Sequence, residues 1–403
     1  MATDQPELEI ADAFPVKLPT RVTIMELESA IDSWCESNDW NGSLVIDLSE
    51  AEWIDVAALM HIVAIFADRS DNRLQTSMRI PNIRKVRDFL RVWRFAQAVQ
   101  IVTDRRFKDL VDPVDHQYFE KKQVSYSTGN VLGNLEAMGF FGFMVFRMNQ
   151  AGSQAHMIQE SCQHWDTSAI SGVLHRYLSG SGKDFARVVV YESISNAYQH
   201  PNADTVCVVS KVDGPDRDGK KVPTSLTLCV WDNGSSIADT LKNQLMNGHA
   251  IRVNVDPSHF KDRFLLVDDE GIFDPKNISA SSTPNLDSPE SEFLLSSMLP
   301  GITRRGPYQE MSFIEEIPEL LARDFYAAQP GMGLFALLQA AIKSFGGKVT
   351  VRSGNLRLSV REPKPDEKQE PDVAYRVKCS TYPPATPRFR GNMITIRLPL
   401  SDS

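Results

Sequence analysis

The chain has 403 residues, 42% of them hydrophobic and 24% charged, which is the composition of a folded protein of about two to three domains. Its 52 acidic and 43 basic residues leave a net charge of −9, which weighs against nucleic acid as the main partner without excluding a local basic patch. The five cysteines (Cys35, Cys162, Cys207, Cys229, Cys379) are far apart and form no CxxC pair, so reduced thiols are expected, and Cys162 with His164 is too small a set for a metal site.

The first 13 residues carry several acids and no apolar core, so no secretory segment is expected. The apolar runs Val56 to Ala67 and Phe140 to Phe146 fall short of the ~18 residues a spanning helix needs. A cytoplasmic protein outside the membrane is the expectation.

Ser43 to Leu48 reads as a buried strand, Trp53 to Ala67 as a helix apolar all round, and Met78 to Ile80 as a short strand. Asn82 to Val99 reads as one amphipathic helix, with Val86, Phe89, Leu90 and Trp93 opposite Arg84, Arg87, Arg91 and Arg94. Those arginines are expected to be a solvated face. Strands alternating with helices give an α/β domain over residues 1–105. Its stretch Leu44 to Ile62, with Asp47-Leu48-Ser49 and the later Asp55, resembles the STAS domain of anti-sigma-factor antagonists. Where regulatory STAS members carry a phosphorylated serine, this chain has Val56, Ala57 and Ala58. The resemblance therefore implies a docking or structural relative with no phospho-switch at that position.

Residues 106–150 read as a connecting segment, in which the apolar stretch Leu132 to Met148 could serve the core of either domain. A helix is expected from Asp184 to His200. On it Glu192, Asn196 and His200 are four residues apart, which puts a carboxylate, an amide and an imidazole on one face just before Pro201. Val206 to Val212 and Leu226 to Trp231 read as strands joined by a polar hairpin loop. Then come Asp232-Asn233-Gly234, a long insertion over 239–330, Gly331-Met332-Gly333, a helix Leu334 to Phe345 ended by Gly346-Gly347, a strand Lys348 to Arg352, a charged loop and a last strand Met393 to Leu400.

In that order these boxes over residues 151–403 resemble the ATP-binding domain of the GHKL family (gyrase, large heat-shock chaperones, histidine kinases, MutL). The resemblance implies a Bergerat-type α/β sandwich with a mixed sheet and a long lid. It further implies ATP and Mg²⁺ as cofactors. Glu192 would be the general base that orients a water or an acceptor hydroxyl, and Asn196 the Mg²⁺ ligand. His200 would lie near the phosphates, a plain helix-end histidine being the alternative. In the second box Asp232, Gly234 and Ile237 would hold the adenine, with Ser236 replacing a family glycine. Gly331, Gly333 and Leu334 would set a phosphate-binding helix start. Thr395 matches a threonine near the adenine. Arg304 and Arg305, in the lid, could reach the phosphates or simply be solvated.

No histidine before the first box sits in a phosphoacceptor context, and no transducer domain is expected after the last. The leading expectation is an ATP-binding regulatory switch with slow hydrolysis, acting on a protein partner, with a homodimer also in view. An anti-sigma-type serine or histidine kinase acting in trans and a scaffold with structural ATP remain open beside it.

Overall fold

Leu44, Val45, Ile46 and Asp47 are all buried, the pattern of a strand covered on both faces. In the computed structural model, residues 14–111, 141–147, 203–214, 216–217, 220–221, 224–251, 264–268, 283–298, 333–363, 373–381 and 389–400 are described. The chain divides into two units, Met1–Ser125 with Pro383–Pro387 and Tyr126–Tyr382 with Arg388–Ser403. Both are mixed α/β. No helix among the described residues is long and apolar enough to cross a membrane.

The first unit runs β1 (Val16–Lys17), β2 (Arg21–Val22), α1 (Ile24–Cys35), β3 (Leu44–Asp47), β4 (Trp53–Ile54), α2 (Val56–Asp71) and β5 (Thr76–Arg79), then α3 (Arg84–Val92) and α4 (Phe95–Thr103). Strands β1, β3 and β5 pair in parallel in that order, and β2 pairs with β4. Helix α1 opens with a capping box between Thr23 and Glu26. Helix α2 is buried on every side, as its apolar sequence requires. Val56, Ala57 and Ala58, which carry no hydroxyl, are at most 3% exposed.

Two buried polar groups fasten this unit. Arg69 donates from Nε to Thr76 Oγ1 at 2.7 Å and from its guanidinium to the carbonyls of Trp40, Gly42 and Gln75, with the Trp40 ring 4.9 Å away. Burial lowers its pKa to about 10. Asp47 accepts from the Ser49 N–H at 2.9 Å and from Arg79 at 3.2 Å. Burial alone would raise the Asp47 pKa, but these bonds outweigh it and hold the carboxyl below its ordinary value.

The expected single helix Asn82 to Val99 is two. Arg94 sits between them at φ 57°, a left-handed conformation that stops α3 and restarts the chain as α4. Trp93 and Phe95 are both buried and Arg94 is exposed. The reversal lets both rings enter the core while the guanidinium stays in water.

The second unit is organised around an eight-stranded sheet. Its strands are β6 (Phe141–Arg147), β7 (Thr205–Asp213), β10 (Ser225–Asp232), β11 (Phe264–Asp268), β12 (Lys348–Gly354), β13 (Leu356–Arg361), β14 (Val373–Thr381) and β15 (Phe389–Pro399). A small hairpin, β8 (Asp216–Arg217) with β9 (Lys220–Lys221), joins β7 to β10. The sheet order is β11-β14-β13-β12-β15-β10-β7-β6, antiparallel except for the parallel β11–β14 edge. Strand β6 comes from the segment expected to connect the domains and closes one edge. Strands β13 and β14, not expected from sequence, extend the sheet on either side of the expected charged loop Glu362 to Asp372.

Side chains alternate across this sheet. Val349, Val351, Leu358, Val360, Ile394 and Ile396 are buried on one face, and Thr350, Ser359, Thr395 and Arg397 lie on the other. On the apolar face lie α5 (Ile237–Met246) and α7 (Gly333–Leu338), the latter continuing as a π-wound turn Gln339–Ser344. Helix α5 also packs on α6 (Glu290–Ser296) through Ala238, Leu241 and Phe293, in a cluster that Ile251 joins. Gly346, at φ 63°, ends the π turn and donates to the Ile342 carbonyl at 2.8 Å, the expected glycine stop.

Candidate functional site

Strand β10 is buried along its whole length and ends in Asp232, itself 1% exposed. A carboxylate so deep must be hydrogen-bonded. The Gly234 N–H donates to Asp232 Oδ1 at 2.9 Å, an Asx turn that the sequence Asp-Asn-Gly favours. The second brace comes from β15. Asn392 faces Asp232 across the ladder and donates from Nδ2 to Oδ1 at 3.2 Å and Oδ2 at 3.4 Å, and to the Ser235 carbonyl at 2.9 Å.

Asn392 is itself fixed. Its Oδ1 accepts from Ser353 Oγ at 2.6 Å and from the Ile237 N–H at 3.1 Å, and Ser353 Oγ also accepts from the Ile237 N–H at 2.9 Å. All four hydrogen-bonding positions of this amide are used, so it can present only one orientation to Asp232. Ser236 caps α5 by accepting from the Asp239 N–H at 3.0 Å. Ser236 therefore starts a helix. Asn233 turns the other way: its Oδ1 accepts from the N–H groups of Asp204 and Thr205, both at 3.0 Å, and fastens the start of β7.

Gly391 completes the site from below. Its φ is 81°, and a Cβ placed on it would stand 1.7 Å from the Asp232 carbonyl oxygen. Only glycine lets β15 approach the Asp232 backbone this closely.

Of the residues chosen from sequence, Asp232, Gly234 and Ile237 are brought together. Gly333 and Leu334 open α7, but the helix is anchored by Phe335, Leu337 and Leu338, which are buried while Leu334 is half-buried. Thr395 is not part of the cluster. It pairs with Cys229, one step out of phase with Asn392, so it lies on the opposite face of the sheet, 3.3 Å from the Cys229 sulfur. Glu192, Asn196, His200, Gly331, Arg304 and Arg305 lie outside the described residues. Asn392, Ser353 and Gly391 were missed from sequence. The available signal was the register: counting back in twos from the buried Ile394 puts Asn392 on the helix-covered face.

The arrangement is a buried carboxylate at a strand end, held from two sides by the Gly234 N–H and the Asn392 amide. Comparison with protein-family models, with curated proteins and with solved structures finds no match for this chain.

Proposed function

We propose that the second unit binds Mg·ATP as a GHKL-type switch and that the first unit is a STAS-like module through which a protein partner is engaged. The observation that carries this reading is Asp232: a buried carboxylate at a strand end, held by Gly234 and Asn392 on the helix-covered face of a mixed sheet. A carboxylate there can accept from the exocyclic amino group of adenine, and the orientation imposed by Asn392 means that little ordering is lost on binding. The adenine end thus fits the group that the family resemblance implies.

At the phosphate end the resemblance assigns Asn196 to hold Mg²⁺ through its side-chain oxygen and Glu192 to orient a water toward the γ-phosphate. Bound Mg²⁺ would supply charge neutralisation on the phosphates. Because Val56 to Ala58 are sealed and carry no hydroxyl, transfer to this chain's own STAS-like unit at that place is disfavoured, and slow hydrolysis with a change of partner contacts is the preferred outcome.

Isothermal titration of the full chain with ATP, with and without Mg²⁺, tests the reading. One saturable site that Asp232→Ala abolishes supports it. Absence of binding at millimolar ATP overturns it. Label transferred from γ-labelled ATP to another protein would replace the hydrolytic reading with the kinase reading.

A further inference from the structure

Asparagine followed by glycine occurs three times in the chain, at Asn41-Gly42, Asn233-Gly234 and Asn247-Gly248. In this pair the main chain can attack its own side chain, because glycine puts no Cβ in the way of the approach. The fold holds the three in different ways.

Asn233 is 5% exposed. Its Oδ1 accepts from the N–H groups of Asp204 and Thr205, its Nδ2 donates to Asp204 Oδ1 at 2.6 Å, and the Gly234 N–H is held by Asp232 Oδ1 at 2.9 Å. Asn41 is exposed, but its turn is pinned. Asp39 Oδ1 accepts from the Asn41 N–H at 3.0 Å and from Asn41 Nδ2 at 3.1 Å. The Gly42 N–H donates to the Asp39 carbonyl at 2.9 Å, and the Gly42 carbonyl accepts from the buried Arg69 guanidinium. Asn247 stands at the C-terminal end of α5, where every residue from Met246 to Ala250 is exposed. Its carboxamide makes no hydrogen bond among the described residues. Gly248 has φ 74° with nothing within 4 Å of the place of a Cβ, and its N–H is held by the Leu245 carbonyl at 3.0 Å. That bond lies at the helix terminus, which frays first.

We infer that Asn247 is a self-modification site, at which the chain deamidates through a cyclic imide without an enzyme, while the fold holds back the same dipeptide at Asn41 and Asn233. The Gly248 nitrogen gives its proton to hydroxide and attacks the Asn247 side-chain carbonyl carbon. A carbon–nitrogen bond forms there, the bond to Nδ2 breaks, and ammonia leaves with a proton returned from water. Water then opens the imide at one of its two carbonyls. Breaking the new bond gives aspartate; breaking the original peptide bond gives isoaspartate, in which the main chain runs through the side chain. Either product puts a carboxylate at the negative end of the α5 dipole, where it is unfavourable. Isoaspartate also lengthens the backbone between Leu245 and Ile251, which both pack in the cluster of Ala238, Leu241 and Phe293 that joins α5 to α6. The modification therefore loosens the far end of the helix whose first N–H is bonded to Asn392 and Ser353.

The test ages the full chain at pH 8.5 and maps its peptides by mass spectrometry for asparagine converted to acid, with isoaspartate scored by enzymatic methylation of its carboxyl. A second sample is aged in guanidinium chloride. In the native chain Asn247 should convert at least about tenfold faster than Asn41 or Asn233, the factor that a difference of about 1.4 kcal/mol in local opening supplies. In denaturant the three should convert at similar rates, because the following residue is glycine in each. Ageing should also speed amide exchange over residues 245–251, and Asn247→Gln should prevent both changes. The inference is overturned if Asn247 stays intact, if Asn41 or Asn233 converts as fast in the native chain, if the same order persists in denaturant, or if exchange over 245–251 is unchanged once Asn247 has converted.

Discussion

Gly391→Ala is the substitution to which the proposed site should be most sensitive. The added methyl carbon would fall 1.7 Å from the Asp232 carbonyl oxygen, 2.7 Å from the Asp232 carbonyl carbon and 2.9 Å from the Asn233 Cα. Carbon contacts are comfortable at ~3.5 Å, so β15 and the end of β10 must separate by on the order of 1.5–2 Å. Both neighbours are backbone in a paired ladder, so no rotamer change relieves the clash. The left-handed φ adds roughly 1–2 kcal/mol and the overpacking about 1–3 kcal/mol. A loss of about 2–5 kcal/mol from the second unit is expected. Gly248→Ala is the control, because Gly248 has φ 74° but nothing within 4 Å of the added carbon, so it bears the backbone strain alone. Urea unfolding of the two variants separates the terms, and an ATP titration of Gly391→Ala should show weakened binding because Asn392 is carried away from Asp232. If Gly391→Ala costs no more than Gly248→Ala and leaves nucleotide affinity unchanged, the close approach at Asp232 is not what shapes this site.

Other consequences can be measured alongside. Asn392→Ala removes the amide that links Asp232, Ser353 and Ile237, and should cost about 1–3 kcal/mol in denaturant unfolding, with weaker ATP binding. Arg69→Met in the first unit leaves the carbonyls of Trp40, Gly42 and Gln75 without this donor, for a loss of at least ~2 kcal/mol by thermal or chemical denaturation. The Asp47 carboxyl is held below its ordinary value, so its contribution is present above the unfolded carboxyl pKa near ~3.9 and is lost as pH falls through the lower folded value. An Asp47→Asn variant should lack that part of the acid sensitivity when unfolding is followed below about pH 4. Burial, with the nearby Asp32, pushes the Cys35 thiol up to about 11, so its alkylation at pH 8 should be slower than that of a free cysteine and should accelerate toward pH 11.

What could be read from sequence divides along physical lines. The run Leu44–Ile46 announces itself because burial on both faces favours unbroken apolar sequence, whereas Leu226–Trp231 reads as a strand by its alternation, although the structure buries every residue of it. Asp232 and Gly234 were legible because their turn is local. Asn392 was not, because its partner lies 160 residues away and only the strand register brings the two together. Thr395 was chosen for its match to a threonine position of the resembled family, but strand alternation gave it the other face. The Arg94 break was hidden because the apolar period continues through it, and only the requirement to bury both Trp93 and Phe95 divides the helix.

The central claim is that Asp232 reads the amino group of adenine, and purine discrimination tests it most directly. GTP presents an oxygen where ATP presents an amino group, so a buried carboxylate should reject it. A site built to bond one polar group discriminates strongly against an analogue that leaves the bond unmade. Competition titration should give ATP at least about 100-fold tighter binding than GTP, with Asp232→Asn bringing the two much closer together. Equal affinities for ATP and GTP in the parent chain, or an unchanged preference in Asp232→Asn, would contradict the account.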